Sequence, residues 1–133
     1  MGHNQTIGQA GEAIAAGFLQ HKGFTILERN YWKPWGEIDI IATIKGTVHF
    51  VEVKTVSLHK AHKIPQITSD VSHDTAIQPE ENMHEKKIKR LHRVIQSYLT
   101  ERDGTNEWQL DLVTVKLNEE TKEARCRLEE NVL

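Results

Sequence analysis

Apolar positions along the chain follow two periods, and the places where one gives way to the other divide it into seven elements. From Thr6 to His21, Ile7, Ala10, Gly11, Ile14 and Phe18 recur at helical spacing, and Gly23 supplies a stop. Phe24 to Arg29 predicts a short strand, and Asn30 to Trp35, with aromatics around Pro34, predicts a connecting loop. Glu37 to Ile44 and Thr47 to Val56 predict two more strands, separated only by Lys45 and Gly46, which is the spacing of a hairpin. From about residue 57 to 78 the periodicity lapses, and a long flexible loop carrying His59, His62, Pro65 and His73 is expected. Pro79 with Glu80 and Glu81 opens a second helix, whose Ile88, Leu91, Ile95, Tyr98 and Leu99 form one stripe before Gly104. Trp108 to Leu117 predicts an apolar strand, and Ala124, Cys126 and Leu128 alternate as a last one. The order α, β, β, β, α, β, β predicts an α/β domain with a central sheet and helices packed against it.

Length and composition narrow the function classes. The 133 residues suit a single domain. With 38% hydrophobic and 27% charged residues and no apolar run of membrane length, a globular protein with no membrane role is expected. The first twenty residues lack the pattern of a signal peptide, so the cytoplasm is the default address. The lone Cys126 excludes an intramolecular disulfide and a cysteine zinc cage, and reads as a small strand residue. A net charge of −2 gives no global case for binding a polyanion, so any such case must be local.

The hairpin supplies a local case. Side chains alternate across a strand, which places Glu37, Asp39, Ile41 and Thr43 on one face, and Val48, Phe50, Glu52 and Lys54 on the matching face of the next strand. With a two-residue turn at Lys45-Gly46, Asp39 falls opposite Glu52 and Glu37 opposite Lys54. A bulged turn would shift that register by one residue. Two facing carboxylates repel, and favourable cross-strand pairs contribute only about 0.2–1 kcal/mol, so stability alone does not select the pair. A magnesium (or manganese) ion held by Asp39 and Glu52 removes the objection, and Lys54 then sets a cation beside it. An ordinary Glu37–Lys54 ion pair, with Asp39 and Glu52 on a solvated face, satisfies the same pattern.

Other residues have paired readings. Glu12 is the one Asp, Glu, Lys or Arg in the first twenty-one residues and shares a helix face with Gly8, Ala15, Ala16 and Leu19. It is either a carboxylate with a partner at packed surface or an acid favoured by the helix dipole. Lys86, Lys87, Lys89, Arg90 and Arg93 crowd the second helix as a phosphate grip or as its solvated face. Trp32 and Trp35 either stack on unpaired bases or cover a core edge. His59, His62 and His73 lack a framework for zinc.

Gly11-Glu12, Leu27-Glu28-Arg29-Asn30, Gly36-Glu37-Ile38-Asp39 with Ile41-Ala42, and Phe50-Val51-Glu52-Val53-Lys54 together resemble the YraN-like family of small bacterial proteins. That family is a predicted branch of the PD-(D/E)xK nuclease superfamily and is similar to archaeal Holliday-junction resolvases. Lys87 to Leu91, Tyr98-Leu99 and Leu110-Asp111-Leu112-Val113 look like its later blocks. The resemblance implies a restriction-endonuclease-like core, a mixed sheet of about five strands flanked by helices. It implies Asp39 and Glu52 as metal ligands, Lys54 as the catalytic lysine, Glu12 as an accessory catalytic acid, and Lys87 as a phosphate-side residue. Thr55-Val56-Ser57 stands where the family pattern leads one to expect an arginine, and the connector after Leu58 is longer than usual.

The expected activity is metal-dependent hydrolysis of nucleic-acid phosphodiesters, with DNA the expected substrate. A non-catalytic nucleic-acid-binding module on the same fold is the alternative, and a homodimer is compatible with either.

Overall fold

A computed structural model describes residues 6–58, 85–102 and 107–133. Helix α1, Ile7–His21, starts at a capping box: the Thr6 hydroxyl accepts from the Gln9 N–H, and the Gln9 side chain accepts from the Thr6 N–H, both at 3.0 Å. The strands are β1 (Thr25–Lys33), β2 (Gly36–Ile44), β3 (Thr47–Leu58), β4 (Glu107–Asn118) and β5 (Glu123–Glu129). A second helix, α2, covers residues 85–101. The strands form one mixed sheet in the order β1-β2-β3-β4-β5, antiparallel except for the parallel β3–β4 pair. Parallel neighbours need a crossover, and α2 lies in that connection. The element order and the five-stranded mixed sheet are those expected.

The two helices bury opposite faces of the sheet. Leu91, Val94, Ile95, Tyr98 and Leu99 of α2 pack with Ile38, Ile41, Val48, Phe50 and Leu110, while Ala15, Ala16 and Leu19 of α1 pack with Ile40, Ala42, Val51, Val113 and Val115. Edge-to-face contacts link Tyr31, Tyr98, Phe50 and Trp108, with ring centroids 5.2–5.8 Å apart. No helix among the described residues is long and apolar enough to cross a membrane.

Three expectations change. Asn30 to Lys33 is strand, and only Pro34 and Trp35 form the turn, because Tyr31 is buried beneath α2 and Lys33 pairs with Gly36. Gly36 is required there: a Cβ would meet Val94 Cγ2 at 2.9 Å. The buried face of α1 is Gly11, Ala15, Ala16 and Leu19, with Ile7 left exposed, because small residues let the helix approach the sheet. Strand β3 runs on through Ser57 and Leu58. The rest of the expected loop, with His59, His62 and His73, lies outside the described residues, as do Pro79 to Glu81 and Gly104.

At Gly11, α1 lies directly against β3: a Cβ built there would overlap the Thr55 side chain. Gly11→Ala is therefore expected to destabilise the fold by about 1–3 kcal/mol, as overpacking does. Thermal melts should show Thr55→Ala recovering part of that loss in the double variant. Simple additivity of the two changes would contradict the contact.

Candidate active site

The Lys45-Gly46 turn has positive φ at both residues (52° and 83°), as a two-residue hairpin of primed type requires. Its register is regular from Ile44↔Thr47 to Ile40↔Val51. The ladder ends there: the next residues, Asp39 and Glu52, are not paired across it, their side chains interact, and the Val53 N–H donates instead to Asp39 Oδ2 at 2.8 Å. The bulge that would have displaced the pair is absent.

Strand β1 opens at the same place. It pairs with β2 at Arg29↔Ile40 and Tyr31↔Ile38, and between them Asn30 has φ 54°. Ile38 and Ile41 both pack beneath α2 although residues three apart on a regular strand point opposite ways. Glu28 and Tyr31, also three apart, both meet Arg102. Beyond the bulge that β1 alone carries between Ile26 and Glu28, each strand thus slips phase around Asn30 and Asp39. The slip turns Asn30 toward α1, where its Nδ2 donates to Glu12 Oε1 at 2.8 Å.

Asp39 and Glu52 line a cleft of about 260 Å³ with Gly36, Glu37, Lys87, Arg90 and Leu91. A neighbouring cleft of about 590 Å³ continues past Glu52 to Lys54, Ile88, Leu110, Leu112 and Val132. The Glu52 side chain is only 16% exposed, and Lys87 Nζ lies 3.6 Å from its Oε1. Burial pushes the Asp39 carboxyl up to about 8, reinforced by the Glu52 charge, while the Val53 N–H opposes the rise. Burial also raises Glu52, against the pull of Lys87. Without a cation the pair therefore retains a proton at neutral pH.

Of the anticipated residues, the fold brings Glu12, Asp39 and Glu52 together: Glu12 is near enough to raise Asp39 further. Lys54 is exposed at the rim of the larger cleft. On α2, Lys87 and Arg90 line the clefts, Arg93 stacks 4.3 Å from the Trp35 ring centroid, and Lys86 and Lys89 are exposed. Periodicity alone does not separate those five. Asn30 as the partner of Glu12 was not anticipated either, although an asparagine inside an otherwise β-forming run is a signal for positive φ.

Outside the clefts, His49 and Asp111 form a buried pair, 2.5 Å from Nδ1 to Oδ2. Asp111 Oδ1 also accepts from the Gln109 amide (2.8 Å) and the Asn131 N–H (2.9 Å), so the pair fastens residues 130–132 to β4, beside Val132 in the cleft wall. Cys126 is half-buried, and burial raises its thiol, the opposite of what a nucleophile needs.

Fold and cleft together define a mixed α/β domain with an acidic site flanked by lysines at the open end of a hairpin. Residues 11–115 match the model of the uncharacterised protein family UPF0102, and the chain belongs to that family, the YraN-like proteins. A UPF0102 protein of Alkaliphilus oremlandii is 39% identical over 119 residues, covering 87% of this chain and 89% of the relative. One from Helicobacter hepaticus is 34% identical over 125 residues (94% and 92%), and one from Helicobacter pylori strain P12 is 35% identical over 109 residues (82% and 80%).

The raised Asp39 carboxyl has a direct consequence for stability. Since the folded state holds this proton to higher pH than the unfolded chain, the stabilisation is full below the ordinary value of 3.8 and is lost as pH rises through about 8. Metal-free wild type should lose Tm against Asp39→Asn by several degrees between about pH 5 and about pH 9. Differential scanning fluorimetry of the two proteins in chelator checks this, and parallel pH profiles would contradict it.

Proposed function

We propose that this protein is a divalent-metal-dependent nuclease that hydrolyses phosphodiester bonds, with DNA as its substrate, on a core of the restriction-endonuclease type. The observation that carries the reading is the juxtaposition of Asp39 and Glu52 where the hairpin ladder opens. Two half-buried carboxylates, both raised by burial and Asp39 further by the Glu52 charge, are an unfavourable arrangement unless a cation completes it. Their oxygen-only, anionic donor set fits magnesium or manganese, which takes one or two protein carboxylates and fills its remaining positions with water and phosphate oxygens. Asp39 and Glu52 would hold the ion; when bound, it supplies Lewis-acid polarisation of the phosphate and lowers the pKa of water.

The chain's own residues divide the remaining work. The Val53 N–H fixes one oxygen of Asp39, orienting the carboxylate toward the cleft. Lys87 and Arg90 place positive charge along the cleft, where they attract and position the phosphate backbone. Lys54, exposed at the rim, is free to swing toward a bound phosphate and stabilise the charge that develops on it. Asn30 holds Glu12 near Asp39, where its carboxylate is placed to accept a proton from an attacking water.

Purified protein should cleave DNA in magnesium or manganese and not in chelator. Asp39→Asn, Glu52→Gln and Lys54→Ala should each reduce the rate by about 100-fold or more. Wild type inactive on duplex, single-stranded and branched DNA in both metals would overturn the reading. Salt-sensitive DNA binding that survives Asp39→Asn with no cleavage would instead identify a binding module.

A further inference from the structure

Trp32 is 65% exposed, the most exposed large apolar side chain among the described residues, and its position relative to the cleft is specific. It pairs across the ladder with Glu37, which lines the cleft beside Asp39. Two residues along one strand and one strand across, its Cα lies roughly 8 Å from that of Asp39. That is about the step between successive phosphates of an extended strand.

The face matters as much as the distance. Tyr31 and Lys33 turn toward α2, where Tyr31 meets Tyr98 and both bond Glu101. Trp32, between them, leaves the sheet on the other face. Lys87 and Arg90 stand on the α2 side of the cleft, and Asp39 and Glu52 lie in the fork where β2 parts from β3 to follow β1 while β3 continues beside β4. A chain held by those cations, with its phosphate at the carboxylates, reaches Trp32 by crossing at that fork from one face of the sheet to the other.

We propose that the site acts on nucleotides that are unpaired around the scissile phosphate, the strand crossing the fork between β2 and β3 and stacking a base on Trp32. A duplex does not follow that path: its persistence length of about 50 nm makes so sharp a bend costly, whereas a single strand bends freely. An indole at the far side supplies a sequence-tolerant platform for the base. Trp35, in contrast, already carries Arg93 on its ring and packs against the core, so it holds the turn that presents Trp32.

The inference rests on the nuclease reading, and one titration separates the two. Wild type, Trp32→Ala and Trp32→Phe are titrated in chelator, so that no cleavage occurs, against a labelled duplex, the same duplex with a single-stranded gap, and DNA and RNA single strands. Wild type should prefer the gapped and single-stranded probes, Trp32→Ala should lose roughly 5- to 100-fold on those probes alone, and Trp32→Phe should recover most of the loss. Thermal melts of each variant exclude unfolding as the cause. Equal affinity for duplex and gapped probes, or a Trp32→Ala loss that is the same on all probes, overturns this inference and leaves the nuclease reading standing. Failure of wild type to bind any probe overturns both. Unchanged binding by Trp32→Ala, with a change in sedimentation from dimer to monomer, would make Trp32 part of a contact between copies of the chain and also overturn the inference.

Discussion

The register of β2 against β3 ties the core and the cleft to one local choice, the turn at Lys45 and Gly46. Positive φ at both positions lets two residues close the hairpin. With that closure, Ile41 and Phe50 fall together beneath α2, and Asp39 and Glu52 fall together at the other end. A slip of one residue would send the buried Phe50 to the opposite face along with Glu52. The apolar contacts under α2 therefore hold in place two carboxylates that repel each other.

Magnitudes show why the arrangement persists. Each large side chain buried beneath α2 contributes about 1.5–3 kcal/mol, and Phe50, Ile38, Ile41 and Ile95 are all fully buried there. The acidic pair opposes this locally, and retaining a proton limits the cost. Gly11 against Thr55 adds a second constraint, because it lets α1 approach β3 closely enough for Glu12 to join the acids. The site is thus assembled from both faces of the sheet, Glu12 from one and Lys87 with Arg90 from the other, and meets where the ladders end.

Much of this was legible from residue order. The period-two runs on either side of Lys45-Gly46 located the hairpin, and counting along them gave the register as far as Ile40↔Val51; the parting of the strands beside Asp39 and Glu52 was not legible, because it depends on β2 following β1 and β3 following β4. The strand at Asn30 to Lys33 was not legible, since Pro34 and the polar Asn30 suggest a loop until burial of Tyr31 is known. The face of α1 was misleading for a related reason: large apolar residues mark a stripe, but close packing here selects glycine and alanine. Likewise five basic residues on α2 look alike in sequence, and only the helix's rotation on the sheet puts Lys87 and Arg90 in the cleft. Family membership extends over residues 11–115, which include Glu12, Asp39, Glu52, Lys54 and Lys87.

The paired phase slips at Asn30 and Asp39 also limit how the chain can change length. Each strand returns its next core residue, Tyr31 or Ile38, to the face beneath α2 only because of its own irregularity. Deleting one residue from β1 alone, or from β2 alone, would leave the two strands out of phase and turn one of those side chains away from the core. Between Glu28 and Lys33, past the bulge that β1 alone carries at Ile26/Glu28, an insertion or deletion therefore disturbs the core unless it is matched in both strands, whereas single substitutions keep the length and leave the phase intact.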